Sequence, residues 1–136
     1  MALRSQNNQI NSSYLTRTIK VVDDYFDAWQ SYDNSILCRI FDKKAKYIIR
    51  PRNRKLIGIK EICRYWGKNE SRQRNLILNW SIAQVKPLQI SCDFTAKFFD
   101  VEENQNQEII GKINYRLCKN LKILSLSETY KKNIKG

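Results

Sequence analysis

Apolar residues in the first third of the chain recur at the spacing of an α-helix. Alternating steps of four and three place them on one stripe of a helix, with polar residues on the opposite side. The members of the stripe are Leu15, Ile19, Val22, Phe26 and Trp29. The pattern predicts a helix that begins near Ser13, and it leaves residues 1–12 as a flexible polar tail.

A second helix and a first strand are predicted next. Asp33 is a residue type that caps helices, and it precedes the apolar positions of a short helix from Asn34 to Phe41. The segment from Ala45 to Arg50 is rich in Tyr and Ile and ends at Pro51, which predicts a strand. A third helix is expected between Gly58 and Gly67, flanked by the loops PRNRKLIG and KNESRQRN.

The second half of the chain alternates apolar and polar residues with a period of two, as half-buried strands do. The alternation is clearest in CDFTAKF and in IGKINYRL, and the polar run EENQNQ between them is predicted to be a hairpin loop. The predicted strands are Leu76–Lys86, Gln89–Val101, Glu108–Cys118 and Ile123–Lys131. No repeat or linker divides the chain, so residues 13–136 are expected to form one α+β domain.

Positive charge is concentrated in one part of this 136-residue chain. The segment from Lys43 to Arg74 holds twelve Lys or Arg against Glu61 and Glu70, a balance of +10 out of a total of +12. Such a segment favours anionic partners, which include acidic ligands, nucleic acid and acidic proteins. A solvated face without a partner is the other interpretation of the same run.

The candidate chemistry is restricted by the absence of histidine. This excludes histidine-based triads and histidine general bases, so acid–base work falls to Asp, Glu, Tyr, Lys or Cys. The cysteines Cys38, Cys63, Cys92 and Cys118 form no CxxC pair, so we expect reduced thiols in the core and neither a metal site nor a cofactor. No apolar run is long enough for a membrane span or a signal peptide, so a cytoplasmic protein is expected. The abundance of Ile, Asn and Lys points to an AT-rich bacterial genome.

The order and spacing of these segments resemble the nuclear transport factor 2-like superfamily, which includes SnoaL-like polyketide cyclases and ketosteroid isomerase. Three stretches are similar to its opening helices and first strand, its third helix and its closing hairpin. They are VVDDYFDAWQSYDNSILCRIFDKKAKYIIRP, GIKEICRYW and NYRLCKNLKILSLSETY. The resemblance implies a cone-shaped, curved antiparallel sheet packed on three N-terminal helices, and it implies a homodimer.

The catalytic pattern of ketosteroid isomerase is only partly present. The oxyanion-hole tyrosine of that enzyme falls on Tyr25, but its general-base aspartate falls on Arg50, and its second oxyanion donor falls on Ile113. A guanidinium stays protonated and cannot act as a base, so that chemistry is not expected here. Whether the chain is an enzyme is left open.

The resemblance places Leu124, Leu126, Glu128 and Tyr130 on the concave face of the sheet. Glu128 would be a carboxyl group among apolar neighbours, which raises its pKa, so Tyr25 and Glu128 are the candidate catalytic residues. Aromatic residues and one arginine that can grip a carboxylate are the candidate ligand-binding residues. They are Tyr47, Arg50, Trp66, Trp80, Phe98 and Tyr115.

Two classes of function follow from these patterns. The first is a protein with a pocket for a small apolar ligand that bears an acidic group, and a SnoaL-like cyclase, isomerase or dehydratase that needs no metal is the enzymatic form of this class. The second is a non-catalytic interaction domain whose basic rim binds an acidic protein or nucleic acid. A pocket that contains Glu128 and Tyr25 favours the first class, and a cone filled by Trp66, Trp80 and Phe98 favours the second.

Overall fold

A computed structural model describes the backbone of residues 2–134 and the side chains of residues 13–132. These residues form three helices and six strands. In chain order the elements are α1 (Ala2–Ser31), α2 (Asn34–Ile40), β1 (Phe41–Arg50), β2 (Arg54–Ile57), α3 (Ile59–Arg72), β3 (Gln73–Lys86), β4 (Gln89–Asp100), β5 (Gln105–Leu117) and β6 (Ile123–Ile134).

The strands form one open sheet in the order β2-β1-β6-β5-β4-β3. Four of the five pairings are antiparallel, and β1 runs parallel to β6. The helices cover one face of the sheet, which confirms the α+β cone predicted from the sequence. The parallel pair joins the strand before α3 to the last strand of the chain, and it places the ends of β1 and β6 side by side.

The sequence located α2 correctly, but it did not predict the full extent of the other two helices. Asp33 caps α2 as predicted, since its carboxylate accepts a hydrogen bond from the backbone N–H of Ser35 at 2.9 Å. Helix α1 begins at Ala2 and not near Ser13, and Leu15 of the predicted stripe is exposed. The side chains of residues 1–12 lie outside the described part, so the flexible tail stays a prediction.

The largest correction concerns α3 and the loops beside it. The helix continues through Gly67 to Arg72, because Gly67 has helical geometry and no close neighbour, so it does not end the helix. The predicted loop KNESRQRN is therefore the end of α3 and the start of β3. The predicted loop PRNRKLIG contains β2, whose four residues pair with β1 as a hairpin.

The core is dominated by aromatic rings from α1, α3 and the sheet. Phe26 stacks on Trp80 with 4.7 Å between ring centroids, and Trp29 meets Trp66 edge to face at 5.5 Å. Tyr25 meets Trp66 edge to face at the same distance. These contacts fill the middle of the cone, and such packing stabilises the fold beyond the burial of area alone.

Two further details correct the predicted burial of side chains. Leu124 is exposed, because the pairing of β5 with β6 skips it between Ile123 and Ser125, so Ile123 takes the buried position. The four cysteines are free thiols as expected, but only Cys92 is buried, and Cys38 is exposed on α2.

Candidate active site

A cavity of about 70 Å³ remains at one end of the cone. Its walls come from the end of α3, the start of β3, the end of β4, the start of β5 and the end of β6. Its lining residues are Trp29, Tyr47, Arg52, Tyr65, Trp66, Asn69, Arg72, Gln73, Phe98, Asp100, Gln107, Ile109, Glu128, Tyr130 and Lys132. Most of these side chains carry a polar group, so the cavity suits a polar occupant.

Glu128 is the buried carboxyl group of this cavity, with 6% of its surface exposed. In the sheet it lies between Ile49 of β1 and Ile113 of β5. Burial among such neighbours raises the pKa of Glu128 from 4.5 to about 7, and a hydrogen bond with Tyr47 offsets part of the rise. A carboxyl group with that pKa is poised to give or take a proton near neutral pH.

A second hydroxyl group supports Tyr47 from behind. The hydroxyl oxygens of Tyr25 and Tyr47 are 2.8 Å apart, and both rings are fully buried. Burial raises the pKa of both tyrosines well above the ordinary value, so both keep their protons. Each hydroxyl group has a single proton to donate. When Tyr47 donates its proton to Glu128, the Tyr47 oxygen can only accept from Tyr25, so Tyr25 is the donor of the second hydrogen bond. The three groups form a chain of hydrogen bonds that ends in the cavity.

Two polar atoms in the cavity wall have no hydrogen-bond partner among the described residues. They are the indole Nε1 of Trp66 and the side-chain Oε1 of Gln107, and both residues are at least nine-tenths buried. Leaving such a group unpaired costs about 1–3 kcal/mol. Both atoms belong to residues that line the cavity with Glu128.

The charged wall near the opening is organised by Arg72. Its Nε lies 3.1 and 3.0 Å from the two carboxylate oxygens of Asp100, and its other nitrogens reach Glu102 and Glu103. Burial alone would raise the pKa of Asp100, but backbone N–H groups and Arg72 outweigh it and lower that pKa. The positive charge of Arg72 is therefore neutralised by carboxylates of the protein itself.

Two other cations stand at the opening of the cavity, which we call the mouth. Arg52 follows β1 and Lys132 lies near the end of β6, and neither makes an ion pair within the part of the chain whose side chains are described. Burial lowers the pKa of Lys132, and the neighbouring charges of Arg52 and Arg72 lower it further. An anionic group at the mouth would relieve this repulsion.

The structure brings some of the sequence-predicted site residues together and separates others. Tyr47, Trp66, Phe98 and Glu128 line the cavity, and Tyr25 lies directly behind Tyr47.

The other three candidates lie elsewhere. Arg50 is exposed, on the opposite side of β1 from the buried Tyr47, so it cannot bind a ligand in the cavity, and Arg52 stands there in its place. Trp80 stacks on Phe26 outside the cavity, and Tyr115 is a core residue whose hydroxyl lies 3.8 Å from the Cys92 sulfur.

Several lining residues were missed although the sequence contained a signal for them. The alternation that links Ile113 and Ile109 reaches Gln107 when it is extended by one step, and the alternation through Glu128 and Tyr130 reaches Lys132. Arg72 and Asp100 gave no comparable signal, because their pairing joins residues 28 positions apart. Among the described residues, no group of three or more His, Cys, Asp or Glu side chains is arranged so that it could hold a metal ion.

Comparison with solved structures identifies the fold. The chain is similar to a protein assigned as a SnoaL-like polyketide cyclase from Shewanella denitrificans, with a TM-score of 0.75 and 11% identity over 84% of this chain and 90% of that one. It is also similar to SalBIII, an epoxide hydrolase/cyclase-like enzyme of pyran ring formation in salinomycin, with a TM-score of 0.76 and 12% identity over 88% and 97% of the two chains.

A third similar structure is a protein of ketosteroid isomerase-like fold from Catenulispora acidiphila in complex with trimethylamine, with a TM-score of 0.71 and 12% identity over 79% and 82% of the chains. No protein-family model and no curated protein sequence matches. The chain therefore has the nuclear transport factor 2-like fold, as the sequence predicted. At these identities the likeness establishes the fold and leaves the activity to be argued from the site.

Proposed function

We propose that the protein binds a small acid in the Glu128 cavity and that Glu128 transfers a proton to or from it. The observation that carries the proposal is a buried carboxyl group with a pKa of about 7 in a cavity that is also lined by Trp66, whose indole N–H has no hydrogen-bond partner among the described residues. Perturbed carboxyl groups in cavities are typical of acid–base sites. The proteins of this fold described as cyclases support the same class.

The volume of the cavity sets the size of the bound group. One water molecule needs about 10–15 Å³ of cavity volume, so a cavity of 70 Å³ holds about five non-hydrogen atoms. The enclosed group is therefore smaller and more polar than the apolar ligand expected from the sequence. Any larger ligand must extend through the mouth.

The polar groups define which small molecules fit. A carbonyl or hydroxyl oxygen can accept a hydrogen bond from Trp66, while Glu128 reaches the adjacent carbon or oxygen. A carboxylate or phosphate can then lie at the mouth near Arg52 and Lys132. Short oxo acids and hydroxy acids combine these features. In an oxo acid, Glu128 as carboxylate would take a proton from the carbon beside the carbonyl, and the protonated form would return it.

Binding is tested with a panel of short oxo acids, hydroxy acids and their neutral amides, using the melting temperature as the measurement. A ligand at 100 times its Kd stabilises the folded state by about 2.7 kcal/mol. We expect acids to raise the melting temperature of the wild-type protein and of Glu70→Gln, which removes an exposed carboxylate of α3. The Arg52→Gln variant should lose most of the effect. Equal shifts from acids and amides, or none from either, would contradict the proposal.

Proton transfer is tested separately by following the exchange of carbon-bound protons of an oxo acid into D₂O by NMR. The wild-type protein and Glu70→Gln should accelerate the exchange, and Glu128→Gln should not. Binding without accelerated exchange would leave a ligand-binding protein and exclude the catalytic role of Glu128.

We also propose a homodimer that pairs through the outer face of the sheet. That face has a groove of about 620 Å³ lined mainly by apolar surface, and Ile110 within it and Ile77 nearby are exposed. Lys112 and Asp93 lie in the same groove 3.8 Å apart, so the interface would be partly polar. Sedimentation of the wild-type protein and of Ile110→Asp tests this, since a monomeric wild type would contradict it.

A further inference from the structure

Another concave surface, distinct from the groove on the outer face of the sheet, lies between β2 and α3. It is a cleft of about 320 Å³, and we call it the basic cleft. Four cations line it, Arg54 and Lys55 from β2 and Arg64 and Lys68 from α3. None of these four cations lines the Glu128 cavity, although the two surfaces are neighbours and share Tyr65.

The positive charge of the basic cleft is not balanced within the part of the chain whose side chains are described. None of its four cations makes an ion pair there. The one carboxylate of the cleft, Glu61, accepts a hydrogen bond from the backbone N–H of Ile57 at 2.7 Å. One of its two carboxylate oxygens is therefore engaged by the backbone at the end of β2.

The arrangement on α3 is unfavourable for the isolated helix. Lys60, Arg64 and Lys68 are all exposed and follow one another at intervals of four residues, and like charges at this spacing repel and destabilise a helix. The exposed Lys46 and Arg50 of β1 lie on the face of the sheet that also bears Lys55. A bound polyanion would neutralise the whole row, whereas a single small anion would reach only part of it.

We propose that the basic cleft binds single-stranded nucleic acid through its phosphates. The rise of an α-helix places residues four apart about 6 Å from each other, so successive cations can meet successive phosphates of an extended strand. The guanidinium of Arg54 lies 5.2 Å from the centre of the Tyr65 ring, which gives a flat surface on which a base can stack.

Two observations favour a single strand over other polyanions. The cleft lies between one helix and one strand, so a duplex would contact only its rim. An acidic peptide would need an apolar anchor for stable binding. The only aliphatic residue of the cleft is Leu56, which is 7% exposed and offers no such anchor.

The test is the salt dependence of binding to a fluorescein-labelled oligouridylate of about 12 nucleotides, measured by anisotropy. Each phosphate neutralised in a single strand contributes about 0.7 to the slope of log K against log salt, so four contacts give a slope of about −3. The Arg64→Gln/Lys68→Gln variant should reduce the slope to about −1.5 and weaken binding at least about tenfold at about 50 mM salt. The matched control, Lys119→Gln/Lys122→Gln, removes two exposed cations from the turn between β5 and β6.

The outcomes are distinct. Loss in the cleft variant with retention in the control supports the proposal. Equal loss in both variants would show attraction by net charge alone, and no binding at about 20 mM salt would show no site, so either result overturns it. An oligoglutamate that displaces the RNA at equal charge concentration overturns the choice of partner. Because Glu128→Gln leaves the basic cleft unchanged, it should bind RNA like the wild type whether or not the cavity binds an acid.

Discussion

The Glu128→Gln substitution tests how the buried carboxyl group affects stability. Glutamine has nearly the shape of a protonated glutamic acid but cannot ionise. The variant therefore holds the site permanently in its neutral form. It should be more stable than the wild type at every pH at which the wild-type carboxyl group is charged.

The magnitude follows from the raised pKa. The folded protein binds this proton with a pKa of about 7 and the unfolded chain with a pKa of about 4.5. Each unit of difference corresponds to about 1.4 kcal/mol, so about 3 kcal/mol is at stake. A raised carboxyl pKa stabilises the folded state below pH 4.5, and this contribution falls as the pH rises to 7 and is lost above it.

The assay is urea unfolding of both proteins at intervals from pH 4.5 to 8.5. Glu128→Gln should exceed the wild type by up to about 3 kcal/mol at pH 8, and the difference should shrink as the pH falls towards 4.5. Carboxylates with lowered pKa values, such as Asp100 and Asp33, contribute equally to both proteins and cancel. A difference that does not change with pH would refute the reasoning, and Glu70→Gln, which removes an exposed carboxylate, serves as the control.

Three other substitutions test the fold and the hydrogen-bond chain. Gly111→Ala should destabilise the protein by about 1–3 kcal/mol in urea unfolding, because the new methyl would lie 2.5 Å from a backbone oxygen of the neighbouring strand. Gly67→Ala, in the middle of α3 with nothing within 4 Å, should instead stabilise it by about 0.4–1 kcal/mol. Tyr47→Phe leaves Tyr25 without its hydroxyl partner and should cost about 1–3 kcal/mol. The same change should raise the pKa of Glu128 further, which a carboxyl-resolved NMR titration would show.

The sequence allowed the fold to be predicted because its elements differ in their periodicity. Strand alternation placed Phe94 and Ile113 on the buried face, and Asp33 located the start of α2. The prediction that α3 ends at a glycine is wrong. Gly67 is compatible with a helix interior when no left-handed turn is needed, so α3 continued past it.

The candidate site was predictable only where a residue contradicts its own pattern. Glu128 was found because it is a carboxyl group at an apolar position of a strand. Arg50 was misplaced because it was chosen by its position in the family resemblance, whereas alternation along β1 puts it on the opposite side from the buried Tyr47 and Ile49. The pair of Arg72 and Asp100 depends on contacts between distant segments, which no local pattern contains.

The most direct test of the account is the titration of the Glu128 carboxyl group in protein labelled with ¹³C at glutamate side chains, with the Glu128→Gln spectrum as the assignment. We expect an apparent pKa of about 7 for Glu128 in the free protein and a change in that pKa when a short oxo acid is added. A pKa near 4.5 that no acid of the panel alters would contradict it.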